Sequence, residues 1–164
     1  MSRKNTGFTL VEILIVVIIL GILAAIVIPQ FTEASNDARE SALQSDLQTM
    51  RSQLELYKVQ HLENYPQQIA TVGADSTKVI AQLTSRTNSA GVVGTDATQF
   101  PFGPYLQQFP SNSFVSDTTK SGIITFGTAD PAPGDGNSGW YINTSTGKFS
   151  ANDSIVAYPN HVLY

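Results

Sequence analysis

Hydrophobic side chains form an almost unbroken segment near the start of the chain, from residue 8 to residue 28, and Pro29 follows it. Only Thr9, Glu12 and Gly21 interrupt this run of Ile, Leu, Val, Phe and Ala. A helix of that length spans roughly 30 Å, the hydrocarbon thickness of a bilayer. A buried helix in a soluble core is the alternative, but 164 residues can hardly surround so uniformly apolar a helix. The pattern therefore predicts a membrane-spanning helix.

Beyond Pro29 the hydrophobic residues take the spacing of three and four that is typical of an amphipathic helix. Pro29 lacks the N–H of an ordinary helical residue, and Gly21 lowers helix propensity before it, so residues 21–29 are a weak stretch. Because the periodic pattern resumes at once, we predict one helix over about residues 8–63, kinked near Pro29 and ended before Pro66. The apolar stripe, which we expect to pack on a globular domain, comprises Phe31, Ala34, Ala38, Leu43, Leu47, Met50, Leu54, Tyr57 and His61.

The remaining residues, 64–164, are rich in Gly, Ser, Thr, Asn, Asp and Pro and contain only short apolar stretches. This density of turns predicts a small antiparallel sheet that the long helix covers, and so an α+β fold. The predicted elements are a short helix capped by Ser76 or Thr77, a loop over 87–98, strands at 122–126, 140–143, 148–152 and 155–158, and a turn at 144–147 that makes a hairpin of the second and third strands.

The charges that flank the apolar segment differ in sign. Arg3 and Lys4 precede it, whereas Glu33 and Asp37 are the first charges beyond it. The positive-inside rule then places the N-terminus in the cytoplasm and the rest of the chain across the membrane. A secretory signal is cut after its apolar core. Here the small-residue break that follows the basic leader is Gly7, before the core, and a cut there leaves the apolar helix on the mature chain.

Glu12 is an ionisable residue inside the apolar segment. A charged side chain in hydrocarbon costs about 2.5–3.5 kcal/mol even on the lenient insertion scale, which makes Glu12 a functional-site hypothesis. One alternative is that its carboxylate reaches the interface and stays in water. In the other, a cut after Gly7 frees an α-amino group on Phe8, one helical turn from Glu12. A neighbouring subunit displaced along the helix axis would then pair its Phe8 ammonium with this carboxylate and set the register between chains.

The sequence Gly7-Phe-Thr-Leu-Val-Glu12, with its basic leader and apolar continuation, resembles the N-terminal methylation motif of type IV pilins and type II secretion pseudopilins. The resemblance implies that a prepilin peptidase cuts after Gly7 and methylates Phe8. It also implies that Glu12 is needed for filament assembly and that Gly21 and Pro29 lie where the helix can loosen on assembly.

The same resemblance implies the pilin fold, with a long N-terminal helix packed on a C-terminal sheet domain. The implied partners are identical subunits in a helical filament, the peptidase that is also a methyltransferase, an inner-membrane assembly platform and membrane lipid. The chain would cross the inner membrane once, with its globular domain outside, and then enter a periplasmic or surface filament. We expect a leader at 1–7, a membrane and assembly helix at 8–28, its amphipathic continuation at 29–63 and a globular domain at 64–164.

Two further features resemble the major pseudopilin of type II secretion more than a surface pilin. The chain has no cysteine, whereas many type IV pilins close their C-terminal region with a disulfide. The segment Phe102-Gly-Pro-Tyr-Leu106, followed by Phe109 and Pro110, is similar to the segment ahead of the pseudopilin sheet, although Phe114 replaces a common proline-tryptophan pair. The major pseudopilin is therefore the leading interpretation. A major or minor pilin of a surface type IV pilus, used for adhesion, motility or DNA uptake, is the alternative.

Oxygen-bearing side chains in the C-terminal loops suggest a calcium site, because pseudopilins of this kind often bind Ca²⁺ there. The hard oxygen ligands on offer are those of Asp130, Asp135, Asn137 and Asp153. The same residue types are also ordinary turn formers, so plain turns are the alternative.

Catalysis and nucleic-acid binding have little support in the sequence. There is no cysteine nucleophile, no His-Glu-x-x-His motif and no glycine-rich loop between strand and helix, so we do not expect an enzyme. The formal net charge of −4 becomes more negative when Arg3 and Lys4 are removed, which opposes association with DNA. A membrane-anchored enzyme or binding module is the remaining class. The arrangement of Gly7, Phe8 and Glu12 argues against it, since a simple anchor needs no carboxylate in its span.

Overall fold

The computed structural model describes residues 7–69, 73–130, 132–154 and 156–164. Arg3 and Lys4 lie outside the described residues, as does Ile155, where the last predicted strand begins. The chain divides into two compact units, Met1–Glu40 and Ser41–Tyr164.

One helix, α1, runs from Leu10 to Gln60 and confirms the predicted long N-terminal helix to within three residues at each end. Pro29 lies inside α1, and the helix continues through it. In the first unit, the large apolar side chains of residues 8–28 are all exposed, from 40% at Val27 to 85% at Phe8. Phe31, Ala34 and Ala38, which we predicted as the start of the packed stripe, are exposed as well.

The core of the second unit lies between α1 and a small sheet. Six residues of the predicted stripe are buried there: Leu43, Leu47, Met50, Leu54, Tyr57 and His61. The helical spacing therefore identified the packed face correctly from Leu43 onward. The five hydrophobic residues of this set belong to one core with residues from the sheet and from a second helix, chiefly Trp140, Ile142, Phe149, Val79 and Leu83.

The second helix, α2, spans Ser76–Thr84, and its cap differs from the predicted Ser76 or Thr77. Asp75 is the N-cap: its Oδ1 accepts hydrogen bonds from the backbone N–H groups of Thr77 at 2.9 Å and Lys78 at 3.3 Å. The Ser76 hydroxyl instead accepts a bond from the backbone N–H of Ile124 at 2.9 Å, which ties the start of α2 to the sheet. An ionised carboxylate at a helix N-terminus also meets the positive end of the helix dipole.

The described strands form two sheets. β1 (Arg86–Thr87) pairs antiparallel with β2 (Val93–Gly94), in a region that we predicted as loop. The main sheet has the order β3 (Ile124–Gly127), β4 (Trp140–Asn143) and β5 (Phe149–Ala151). The antiparallel hairpin of β4 and β5 and the overall pilin-like α+β fold are confirmed.

Two details of the sheet differ from the prediction. β3 and β4 are parallel, not antiparallel, and the twelve positions that separate them in the sequence meet the length that a parallel connection needs. No strand follows β5 among the described residues. Residues 156–157 form a turn, and a short 3-10 segment at His161–Leu163 ends the chain.

Candidate functional site

The first turn of α1 is closed by a reciprocal pair of hydrogen bonds between Thr9 and Glu12. Glu12 Oε2 accepts bonds from the backbone N–H of Thr9 at 2.7 Å and from its hydroxyl at 2.8 Å. The backbone N–H of Glu12 in turn donates to Thr9 Oγ1 at 3.3 Å. This is a capping box, in which an N-cap hydroxyl and a glutamate three residues later satisfy each other's orphan donors. The Thr-x-x-Glu spacing is a local sequence signal for this cap, which the sequence-based predictions did not include.

The cap holds the Glu12 carboxylate beside the start of the helix. It reaches back to the backbone N–H of Thr9, the residue that follows Phe8. Its other oxygen, Oε1, accepts no hydrogen bond among the described residues. Glu12 therefore has one oxygen engaged within its own chain and one that is open to a second donor. This intrachain bond was part of neither alternative for Glu12, the carboxylate in water or the pair with a neighbouring Phe8.

Gly7 and Phe8 lie before α1 in irregular, exposed backbone. An added Cβ at Gly7 would meet nothing within 4 Å, and the Phe8 side chain is 85% exposed. The peptide bond between them is thus outside the helix, in an exposed segment. Gly21 lies inside α1, and a Cβ there would also meet nothing within 4 Å, so no contact in this chain requires a glycine at that position.

Near Pro29 the backbone of α1 lacks one of its hydrogen-bond donors, because proline has no N–H to give to the carbonyl four residues earlier. The helix nevertheless continues, and the Thr32 hydroxyl donates to the Ile28 carbonyl at 3.2 Å. By length and composition α1 is able to cross a membrane. Among the described helices it is the one that meets that criterion.

The four residues considered for calcium all take part in hydrogen bonds or ion pairs with other groups of the chain. Asp130 forms an ion pair with Lys148 at 2.8 Å. Asp135 Oδ1 accepts bonds from the backbone N–H of Asn137 at 3.0 Å and from the side-chain amide of Asn152 at 2.9 Å. These hydrogen bonds lower the pKa of Asp135 against the opposing effect of its burial.

Asp153, the fourth candidate, is fully buried, and its Oδ2 lies 2.7 Å from His161 Nδ1, within hydrogen-bonding distance. The remaining oxygen, Oδ1, is buried without a hydrogen-bond partner. Ca²⁺ takes six to eight oxygen ligands at about 2.3–2.6 Å. Two of the three carboxylates already face a basic side chain, and no three acidic or histidine residues among the described ones are grouped as metal ligands. In this arrangement the four residues do not fit a calcium site.

His61 has a structural environment. Its ring is buried and stacks on Tyr57 with a centroid distance of 3.7 Å. Nδ1 lies 2.8 Å from the Tyr57 carbonyl, which can only accept, so Nδ1 donates and Nε2 accepts from the Thr87 hydroxyl at 3.0 Å. Burial lowers the pKa of His61 and favours this neutral form. The ring therefore joins α1 to β1.

A polar connection that the sequence did not signal joins α1 to the end of the chain. The Arg51 guanidinium donates to the Phe149 carbonyl from Nε at 3.0 Å and from Nη2 at 2.9 Å, and also to the Tyr164 carbonyl. Arg51 therefore connects α1 to both β5 and the C-terminal segment. Arg51 is separated from Phe149 by 98 positions, so no local pattern could have paired them.

A profile described as the prokaryotic N-terminal methylation motif matches residues 2–28, which contain Gly7, Phe8 and Glu12. The chain is also similar to several proteins named "Type II secretion system core protein G". It is 41% identical to the one from Pseudomonas aeruginosa over 39% of this chain and 44% of that protein. No solved structure matches the chain.

Two other relatives with that name align over more of their length. The one from Aeromonas hydrophila is 29% identical over 74% of this chain and 85% of its own. The one from Vibrio cholerae serotype O1 is 30% identical over 70% of this chain and 69% of its own. The alignments with the Pseudomonas aeruginosa and Dickeya chrysanthemi proteins span just under half of each, at 44% and 48%. Because the alignment with the Vibrio protein covers more than two thirds of both chains at 30% identity, the chain belongs to the family of the type II secretion system core protein G.

Proposed function

We propose that this protein is a structural subunit of a type IV pilus-like filament, the major pseudopilin of a type II protein secretion system. The observation that carries the proposal is the exposed apolar helix with a carboxylate in its first turn. Each large side chain of residues 8–28 is at least 40% exposed, so the chain itself does not cover this surface. Lipid covers it in the membrane, and identical helices cover it in the filament. The family membership supports secretion over a surface pilus, and it supports a structural role over catalysis.

Before assembly the chain is processed at its leader. A prepilin peptidase cuts between Gly7 and Phe8, removes Arg3 and Lys4, and methylates the new amino group of Phe8. The accessible, non-helical backbone at these residues supports a cut at this bond. The chain then crosses the inner membrane once, with the N-terminus on the cytoplasmic side and residues 64–164 outside.

Glu12 acts in assembly by receiving the Phe8 ammonium of a neighbouring subunit. Its capping bonds to Thr9 already fix the carboxylate at the helix start, and Oε1 is available for the incoming charge. Pairing neutralises two charges in a low dielectric, whereas an unpaired charge there is costly. Leu, Ile and Val side chains gain little by exchanging lipid for one another, so this pair provides the drive and the register that the apolar surface lacks.

Gly21 and Pro29 provide the flexibility for packing in the filament. No contact in the monomer requires a glycine at position 21, and Gly21 and Pro29 both weaken the helix over residues 21–29. Loosening there lets successive subunits, delivered by the inner-membrane assembly platform, stack in a heterologous and open-ended array.

The test separates the two roles of Glu12. Full-length protein is produced with its own secretion machinery, and sheared filaments and membrane-bound subunit are quantified. Glu12→Ala should insert normally, since it makes the segment more apolar, yet yield no filaments. Thr9→Val is the matched control: it removes both hydrogen bonds of the Thr9 hydroxyl but keeps the Glu12 charge, so filaments should still form.

Two results would contradict the proposal. Equal losses for Thr9→Val and Glu12→Ala would reduce Glu12 to a helix cap. Wild-type protein that stays in the membrane as dispersed monomers would support an anchored module. Deletion of the protein should also stop the export of the system's substrates, and surface pili that persist with export unaffected would favour the surface pilus.

A further inference from the structure

Asp46 on α1 carries a half-buried carboxylate. It lines an open pocket of about 370 Å³ together with Gln108, Phe109, Pro110 and Ser111. Among the described residues it forms no ion pair and no hydrogen bond. Burial without compensation raises the pKa of Asp46. A partly desolvated carboxylate of this kind costs stability in the monomer unless a cation comes to it.

The walls of this pocket suit a guanidinium group. Asp46 provides two oxygens for a bidentate pair, and Gln108 and Ser111 offer side-chain oxygens at the rim. The half-buried Phe109 ring presents an aromatic surface, held by its edge contact with Phe149 at a centroid distance of 6.4 Å. Arginine pairs with a carboxylate through a planar fork and also stacks on aromatic rings, whereas lysine is a compact, strongly hydrated point charge.

Few basic side chains in the described part of the chain are free to fill it. Lys58, Lys120 and Lys148 have carboxylate partners, and Arg51 is bonded to two carbonyls. Arg39 also has an interaction within the chain and is not free. Lys78 and Arg86 have no partner among the described residues. Lys78 is exposed on α2, whereas Arg86 is half-buried on β1, where pairing with β2 fixes its backbone.

Arg86 cannot reach Asp46 of the same chain. The neighbouring residue, Thr87, is hydrogen-bonded to His61 at 3.0 Å, which places β1 beside the end of α1. Asp46 precedes His61 by four helical turns, so the two sites are about 20 Å apart along the helix axis. Consider a second copy whose α1 is parallel to the first and is shifted along the helix axis by about that distance, toward the N-terminal end. Its Arg86 then lies level with Asp46 of the first copy.

We propose that Asp46 of one subunit receives the Arg86 guanidinium of a second copy, so that this pocket is a subunit–subunit contact of the filament. The inference rests on the proposed filament function and identifies one of its contacts. Because the two residues lie on different parts of the surface, the contact is heterologous and repeats without closing.

Charge exchange tests the contact in full-length protein with its assembly machinery. Asp46→Arg and Arg86→Asp should each lower filament yield by about tenfold or more, since each opposes like charges across the contact. The double variant should recover most of that yield. Lys78→Asp is the matched control, because it makes the same charge change at an exposed position and should assemble normally. The membrane level of each subunit shows that it folds and inserts.

Cross-linking provides a second readout that does not depend on yield. The chain has no cysteine, so thiols introduced at Asp46 and Arg86 are the only ones present. A short bismaleimide should convert filaments of the Asp46→Cys/Arg86→Cys protein into a ladder of covalent multimers. Asp46→Cys/Lys78→Cys filaments should give none.

The outcomes separate this inference from the function on which it rests. Wild-type filaments with no ladder and no rescue by charge exchange would overturn the Asp46–Arg86 contact and leave the filament proposal standing. Failure of the wild-type protein to form filaments would overturn both.

Discussion

Replacing Arg51 by methionine should lower the stability of the globular part substantially. The side chain connects α1 to the Phe149 carbonyl through two N–H groups, at 3.0 and 2.9 Å, and to the Tyr164 carbonyl. Methionine keeps the apolar stem and removes every donor. A hydrogen bond from a charged group contributes about 1.5–3 kcal/mol, but the two bonds to Phe149 share one acceptor. Burial of the guanidinium offsets part of this stabilisation, so each of the two carbonyl acceptors contributes less than the full value. Together they give an expected loss of about 3 kcal/mol in the free energy of unfolding.

Thermal unfolding of a soluble fragment that starts at Gln30 measures this loss. A loss of that size should lower Tm by about 10 °C in a protein of this length. Arg51→Lys should fall in between, because an ammonium cannot reproduce the fork. Ser52→Ala, which loses a single exposed bond to the Gln48 carbonyl on the same helix, is the control and should change stability by less than about 0.5 kcal/mol. An Arg51→Met fragment that melts within a degree or so of wild type would refute the reasoning, since the two carbonyls would then be satisfied by water.

Three other changes test separate parts of the account. Gly147→Ala should destabilise the same fragment by more than about 2 kcal/mol in denaturant, because φ is +76° and the new Cβ would lie 2.2 Å from the Tyr65 ring. Gly73→Ala, at φ +61° with nothing within 4 Å, is its control and should show the backbone cost alone, about 1 kcal/mol. Replacing both Gly21 and Pro29 by Ala should leave insertion and monomer levels unchanged and give fewer or shorter filaments, and filaments of normal number and length would show that no loosening is needed. The wild-type fragment should have the same Tm in millimolar calcium as in chelator. A gain in the free energy of unfolding that approaches about 2.7 kcal/mol, at free calcium one hundred times the dissociation constant, would instead show that these residues bind calcium.

The elements that could be predicted from the sequence are those whose signal is local and repeated. The stripe from Leu43 to His61 follows helical spacing over several turns, so its burial was predictable without knowledge of the sheet. The hairpin of β4 and β5 has apolar strands on either side of a glycine turn, and it was found within a residue or two. The parallel pairing of β3 with β4 has no comparable local signal, because the sequence between the two strands has no periodic pattern.

The site shows the same division between local and long-range signals. Gly7, Phe8 and Glu12 form one contiguous motif, so the sequence alone identified them as candidates for processing and assembly. The capping role of Glu12 was also written locally, in its spacing from Thr9, and was overlooked. By contrast, the isolation of the Asp46 carboxylate becomes visible only when its surroundings are known, because an acidic residue on an amphipathic helix ordinarily faces water.

The central claim is that the chain is cut at its leader and assembled through the new terminus. Intact-mass measurement of the subunit recovered from sheared filaments tests it most directly. The account predicts a single species that begins at Phe8 and carries one methyl group on its amino nitrogen. A subunit that begins at Met1, or one cut beyond Ile28 so that the apolar helix is missing, would contradict it.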